Sequence, residues 1–280
     1  MPAEARWQRT VEQGRVLYCP ALAFELEPGE KRYLDPRYSD EKRKSIYIRP
    51  GYEGVMGTGA AADDRAALLR MLERYQTSSM RLLAGLFPTY VGKMKAAGTS
   101  FRPRAIGSGD AALSWRKDDT RLHVDAFPSN PTNGMRILRV FTNLGTTPRI
   151  WRVGPPFATM AGYFLPRIRA PLPGSSRLLR ALRITKRLRS EYDHTMLRLH
   201  DSAKADLEYQ QSCEQVTFGF APGSSWICFS DQVMHAAMSG QFMMEQTVHV
   251  PAAALAYPED SPLAILERLR GKSLLHAPRP

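Results

Sequence analysis

His123, Val124 and Asp125 stand where apolar and polar residues alternate. On an extended chain a spacing of two puts an imidazole and a carboxylate on the same side, able to chelate one metal ion. With six His and 27 acids in 280 residues, such a pair also arises by chance, and on its own a satisfied core histidine is the better explanation. A second segment, Gly223 to His235 (GSSWICFSDQVMH), gives it a partner. It reads as a turn, an apolar strand, a polar loop and then a histidine, the way a late barrel strand delivers a distal ligand. Two His and one carboxylate on one face leave three metal positions open. That is the facial arrangement of non-haem Fe(II) oxygenases, with two positions for a keto acid and one for dioxygen. A zinc hydrolase can use the same donors.

The elements that must hold these residues are legible in outline. Asp63 and Asp64 open a helical pattern (Leu68, Leu69, Met71, Leu72, Tyr75, Leu82, Leu83, Leu86, Phe87) that runs to about Gly98, giving one or two scaffold helices. A short strand is expected near Ile46–Ile48. Further strands are expected at Ser100–Ile106, Ala112–Lys117, Arg121–Asp125, Met135–Asn143 and Arg149–Val153, then at Glu214–Phe220, Ser225–Phe229 and Phe242–Val250. Many short strands imply a sandwich or barrel. Ser261, Pro262 and Gly271 frame a terminal helix. Between the β blocks lies an insertion, 160–211. From Arg167 to Arg189 it has eight Lys/Arg and no acid, with Leu178, Leu179, Leu182, Ile184 and Leu188 on one side of a helix and Arg180, Arg183 and Arg187 on the other. That pattern suits a solvated helix face or a surface for anionic lipid head groups.

Composition narrows the classes. The chain is 43% hydrophobic and 24% charged, enough for a sizeable core, and no run is long enough to span a membrane. The first residues lack the layout of a secretory signal. Three scattered cysteines suit a reducing compartment and give neither a disulfide frame nor a cysteine metal site. A net charge of +12 points to an anionic partner. Nucleic acid is disfavoured, because the basic residues are not interleaved with aromatics. His194 and His200, six apart, do not share a helix face, and His249 and His276 read as surface residues. No nucleophile elbow or phosphate loop occurs.

Longer strings carry a resemblance. Trp115 to Ser129 (WRKDDTRLHVDAFPS), Arg136 to Asn143 (RILRVFTN), Pro148 to Gly154 (PRIWRVG) and His235 to Gln241 (HAAMSGQ) resemble the Kdo 3-hydroxylase family. The resemblance implies an α+β protein, a single oxygenase domain over 1–280. Its core would be a double-stranded β-helix (jelly-roll, cupin-like) with N-terminal scaffold helices and the basic insertion. It implies an Fe(II)/2-oxoglutarate-dependent dioxygenase that uses O2 to hydroxylate C3 of Kdo on a lipid A precursor, giving Ko, succinate and CO2. It places the enzyme in the cytoplasm, peripheral on the inner membrane. The iron ligands would be His123, Asp125 and His235.

No Arg or Lys lies between His235 and Arg268, so the 2-oxoglutarate carboxylate needs a cation from elsewhere. Arg139 with Thr120 and Asn143 are the candidates, Arg136 pointing to the opposite strand face. Arg102, Arg104, Arg116, Lys117, Arg149 and Arg152 are candidates for the substrate carboxylate and phosphates. The same chemistry on another small anion, and a non-catalytic barrel that binds anionic membrane, remain alternatives.

Overall fold

The computed structural model describes residues 3–40, 43–107 and 114–275. In chain order its elements are α1 (Ala3–Glu12), β1 (Leu17–Cys19), β2 (Ile46–Ile48), α2 (Ala62–Leu86), β3 (Lys95–Arg102), β4 (Arg136–Asn143) and β5 (Arg149–Val153). Then come α3 (Phe157–Phe164), α4 (Ser175–Ala181), α5 (Glu191–Ala205), α6 (Leu207–Ser212), β6 (Val216–Phe220), β7 (Ser225–Phe229), β8 (His235–Ser239), β9 (Met243–Val250) and α7 (Pro262–Arg270).

The strands form two antiparallel sheets. The larger runs β1-β7-β4-β9-β3-β2 and the smaller β6-β5-β8. Alternation along β4 gives it two faces. Leu138 and Val140 join Val11, Leu83, Phe87 and Tyr90 beneath α1 and α2. Phe141 faces the smaller sheet, in a cluster with Trp226, Trp151 and Phe220. Phe141 and Phe220 both stack on the Trp226 ring, at centroid distances of 5.3 and 4.0 Å. These rings set the spacing between the sheets.

α2 forms because Leu68, Met71, Leu72, Tyr75, Ser79 and Leu83 recur at helical spacing and bury one stripe. Asp63 and Asp64 sit in its first turn, where a negative charge meets the positive end of the helix, and Ala61 is the N-cap. The helix stops at Leu86, before Pro88, and β3 begins at Lys95, so the helical reading to Gly98 was twelve residues too long.

Two expected strands are corrected. Ala112–Lys117 falls partly outside the described residues, and Trp115–Lys117 is a 3-10 turn. Arg121–Asp125 makes only one bridge, His123 with His235. The Asp118 carboxylate ties the Thr120 amide and hydroxyl into a tight turn just before it, which leaves too short a run for a ladder.

The insertion is helical, but not as one long amphipathic helix. α4 ends at Ala181, and Arg183 adopts a left-handed turn with φ 55°. α5 is the well-anchored part, capped reciprocally by Ser190 and Asp193. The Asp193 carboxylate also accepts the Thr132 and Asn133 amides, while the Lys186 amide and the Arg189 guanidinium donate to the carbonyls of Ser129 and Pro128. The 127–133 loop is thereby pinned to the insertion.

Candidate metal centre

His123 and His235 lie on facing chain segments that exchange backbone hydrogen bonds: His123 N to His235 O at 3.0 Å and the reverse at 2.8 Å. The Asp125 amide donates to Ser230 O at 2.8 Å. One donor atom from each of the three side chains falls within 4.8 Å of the others. Nδ1 of His123 lies 2.7 Å from the Arg121 carbonyl, and Nδ1 of His235 lies 2.8 Å from that of Val233. A carbonyl can only accept, so each ring carries its proton on Nδ1 and presents the lone pair of Nε2. Asp125 Oδ2 is buried and accepts no hydrogen bond. Two lone-pair nitrogens and an unfilled carboxylate, converging where water is scarce, fit a divalent cation.

The electrostatics agree with that chemistry. Burial, then the neighbouring His235, holds the His123 imidazole well below its ordinary pKa, and burial lowers that of His235 too. Burial alone would raise the Asp125 carboxyl, but the Arg139 guanidinium and the two imidazoles outweigh it and keep it below the usual carboxylate range. The set is thus neutral, neutral and anionic, as ligation requires. Trp151 stacks on His235 at 4.9 Å, and His200 packs edge-on against His123 at 5.3 Å. These two rings fix the orientation of the imidazoles. His200 was passed over on the sequence because the contact is with a chain segment remote from its own helix.

The three donors line a small cavity of about 80 Å³ with Arg102, Asp119, Arg139, Phe141, Arg149, Trp151, Ala237, Met243 and Glu245. Three of the arginines picked from the sequence reach it, and they differ. Arg139 is held between Asp125 (3.2 Å) and Glu245 (3.3 Å). Arg102 pairs with Asp119 at 3.0 Å. Arg149 is 1% exposed, and its Nε and Nη1 have no hydrogen-bond partner. Burial, helped by Arg102, pulls its pKa down to about 9.

The remaining candidates stand elsewhere. Arg104 bonds Ser39 and the Asp40 carbonyl. Arg152 points away from the cavity to Thr120 O and the Gln210 carbonyl. Arg116 pairs with Asp201 on an exposed turn, and Lys117 is exposed beside it. Thr120 spends its hydroxyl on Asp118. Asn143 is fully buried, but its amide braces the β4–β5 turn by donating to Thr147 O and Phe220 O and accepting from Gly145 N. None of these six has a side chain in the cavity. Arg136, on the other face of β4, is buried as well, in an ion pair with Asp231 at 2.8 Å. Glu245 was missed; its signal was an acid in mid-strand, directly after Met243 and Met244. His249 lies in β9 and is largely buried, not a surface residue, and His276 lies outside the described residues.

Two sheets enclosing a His-Asp-His set define a non-haem metal oxygenase. The chain belongs to the 3-deoxy-D-manno-oct-2-ulosonic acid (Kdo) hydroxylase family, whose model matches residues 2–273. Its structure is similar to that of the Kdo hydroxylase KdoO, a non-haem Fe(II) alpha-ketoglutarate-dependent dioxygenase, in complex with cobalt(II). The identity is 45% and the TM-score 0.94, over 99% of this chain and 93% of that one. KdoO with alpha-ketoglutarate and Fe(III) matches at 44% identity and TM-score 0.93, covering 99% and 94%. KdoO with succinate and Fe(III) matches at 44% and 0.92, covering 99% and 92%. Among curated proteins no sequence matches.

Proposed function

We propose that this chain is an Fe(II)/2-oxoglutarate-dependent dioxygenase that hydroxylates C3 of Kdo on a lipid A precursor, giving Ko, succinate and CO2. The observation that carries the reading is the convergence of His123, Asp125 and His235, with Nε2 free on both rings, beside an unpaired buried cation. His123, Asp125 and His235 would hold the iron. When bound, the metal would supply the activation of O2 that is coupled to decarboxylation of the cosubstrate.

The rest of the work falls to the chain. Arg121 and Val233 carbonyls hold both imidazoles in the ligating tautomer. Arg139 steadies the Asp125 carboxylate and keeps it ionised. That leaves Arg149, not Arg139, to grip the distal carboxylate of 2-oxoglutarate, because Arg139 is already in close ion pairs with two acids, whereas Asp119 and Glu245 act on Arg149 only from farther off. Strand order supports a double-stranded β-helix core. β3-β9-β4-β7 form the larger layer, and the His123 segment with β8, β5 and β6 forms the smaller one. We read residues 1–280 as one oxygenase domain.

Among the described residues no helix is long and apolar enough to cross a membrane. The insertion instead exposes Leu172 (79%), Leu178, Leu182 (61%) and Ile184 next to its eight basic residues. Exposed leucines among mostly exposed cations suit an anionic bilayer surface better than plain solvent. This favours a cytoplasmic enzyme resting on the inner membrane.

The test is anaerobic loading with Fe(II) and 2-oxoglutarate, then O2, with and without Kdo-bearing lipid A precursor. Succinate coupled to a +16 mass shift in the lipid, both lost in His123→Ala, is the expected result. Succinate without the shift would reject the sugar and favour another small anion. Neither product would sink the metal assignment and leave a binding protein.

A further inference from the structure

The smaller sheet covers only part of the larger one. Over β7 and β4 the inner face is aromatic and filled. Over β9, β3 and β2 the same face is open and polar. The register runs Tyr47–Ser100–Glu245–Phe141 in one row and Gly98–Thr247–Arg139 in the next. Directly paired residues share a face, so Tyr47, Ser100, Glu245, Gly98 and Thr247 all look the same way as Arg139. They line a groove of about 320 Å³ whose other wall is the pinned loop, Phe127 to Asn130. Arg139 and Glu245 line both this groove and the metal cavity, so the two spaces share a wall.

We propose that this groove seats the eight-carbon acid sugar. Gly98 and Ser100 form its floor, Thr247 and Glu245 meet its hydroxyls, and Arg49 at the outer end takes its carboxylate. The proposal rests on the Kdo reading above and adds where the sugar sits and what sets its size. The volume falls at the small end of the range for ligand pockets, about 300–1,000 Å³, as a monosaccharide unit needs. Arg49 is exposed and held over the Tyr52 ring, its Cζ 5.5 Å from the centroid. That leaves the guanidinium edge for a carboxylate. Gly98 sits at a register shift in β3, and a Cβ added there would meet only the Ile48 carbonyl, at 3.7 Å. A larger residue is therefore tolerated by the backbone and must stand in the groove.

The experiment uses the enzyme loaded with diamagnetic Zn(II) and 2-oxoglutarate without oxygen, and the methyl glycoside of Kdo as probe. Binding is read by saturation-transfer NMR, and kcat/KM is read on the lipid substrate with iron. Gly98→Val is expected to lower both affinity and kcat/KM at least tenfold, with 2-oxoglutarate affinity unchanged. Arg49→Gln is expected to raise KM several-fold, with Arg49→Lys recovering most of it. Binding in Gly98→Val and Arg49→Gln within twofold of wild type would overturn the assignment. Should Gly98→Val unfold, the surface variant Arg49→Gln decides alone. No binding by the wild type would overturn the sugar reading itself, and the seat with it.

Discussion

Two sets of arginines in this protein live in opposite physical worlds. Arg102, Arg139 and Arg149 are between the layers and Arg136 is on the other face of β4, each stripped of most of its water. Arg167 to Arg189 supply a second set on the surface of the insertion, beside exposed leucines. A guanidinium in the first set is worth whatever its partner makes it worth, because desolvation is costly and only a matched anion offsets it. One in the second is screened and acts only as part of a field. The contrast teaches that counting charge locates a partner's sign, while burial locates its chemistry.

The sharpest way to break the contrast is Asp231→Ala. It leaves Arg136 buried without its acid and should cost roughly 3–5 kcal/mol in denaturant unfolding. A loss under about 1 kcal/mol would mean that burial does not set the value of these cations. Next comes Arg149→Met, for which 2-oxoglutarate affinity should fall roughly 100-fold, or about 2.8 kcal/mol. Without cosubstrate the same variant should be the more stable by about 1 kcal/mol, since it no longer buries an unpaired cation.

The pH dependence of that gain has a definite sign. Burial pulls the pKa of Arg149 down to about 9 in the folded protein, so the penalty is fully present below that pH. It fades as pH rises past about 9 towards the ordinary arginine range, and the variant's advantage should shrink over that interval in melting experiments. On the surface, Arg180→Gln with Arg183→Gln should weaken vesicle binding by about 1 kcal/mol per residue, leaving affinity for the soluble glycoside unchanged. Arg116→Ala, whose pair with Asp201 is half in water, should change stability by less than about 1 kcal/mol.

What could be read beforehand follows the same division. H-x-D was legible because its two ligands are neighbours in sequence and the backbone period does the rest. The choice between Arg139 and Arg149 was not, because it depends on Glu245, a residue far along the chain whose place across β9 only the sheet register fixes. Strands β4 to β7 and β9 announced themselves by alternation and turns, but β8 (His235–Ser239) was not expected and the His123 segment was misread as a strand. Its side chains are held by a tight turn and one bridge, which leave the same local pattern as a ladder. The basic segment looked like one amphipathic helix because leucine and arginine alternate at helical spacing. A left-handed residue at Arg183 ends that helix early, and no single residue type signals it.

The backbone bridge between His123 and His235 has a consequence for how the protein comes into being. The two histidines sit more than a hundred positions apart, with the whole helical insertion between them. Closing so long a loop is entropically slow, and β pairing across it ranks among the late events of folding. The ion-binding set therefore cannot nucleate the chain. It comes together only after both layers have met, so a metal-binding molecule is one that has finished folding. A chain stalled on the ribosome before β8 has emerged carries His123 and Asp125 without their third partner.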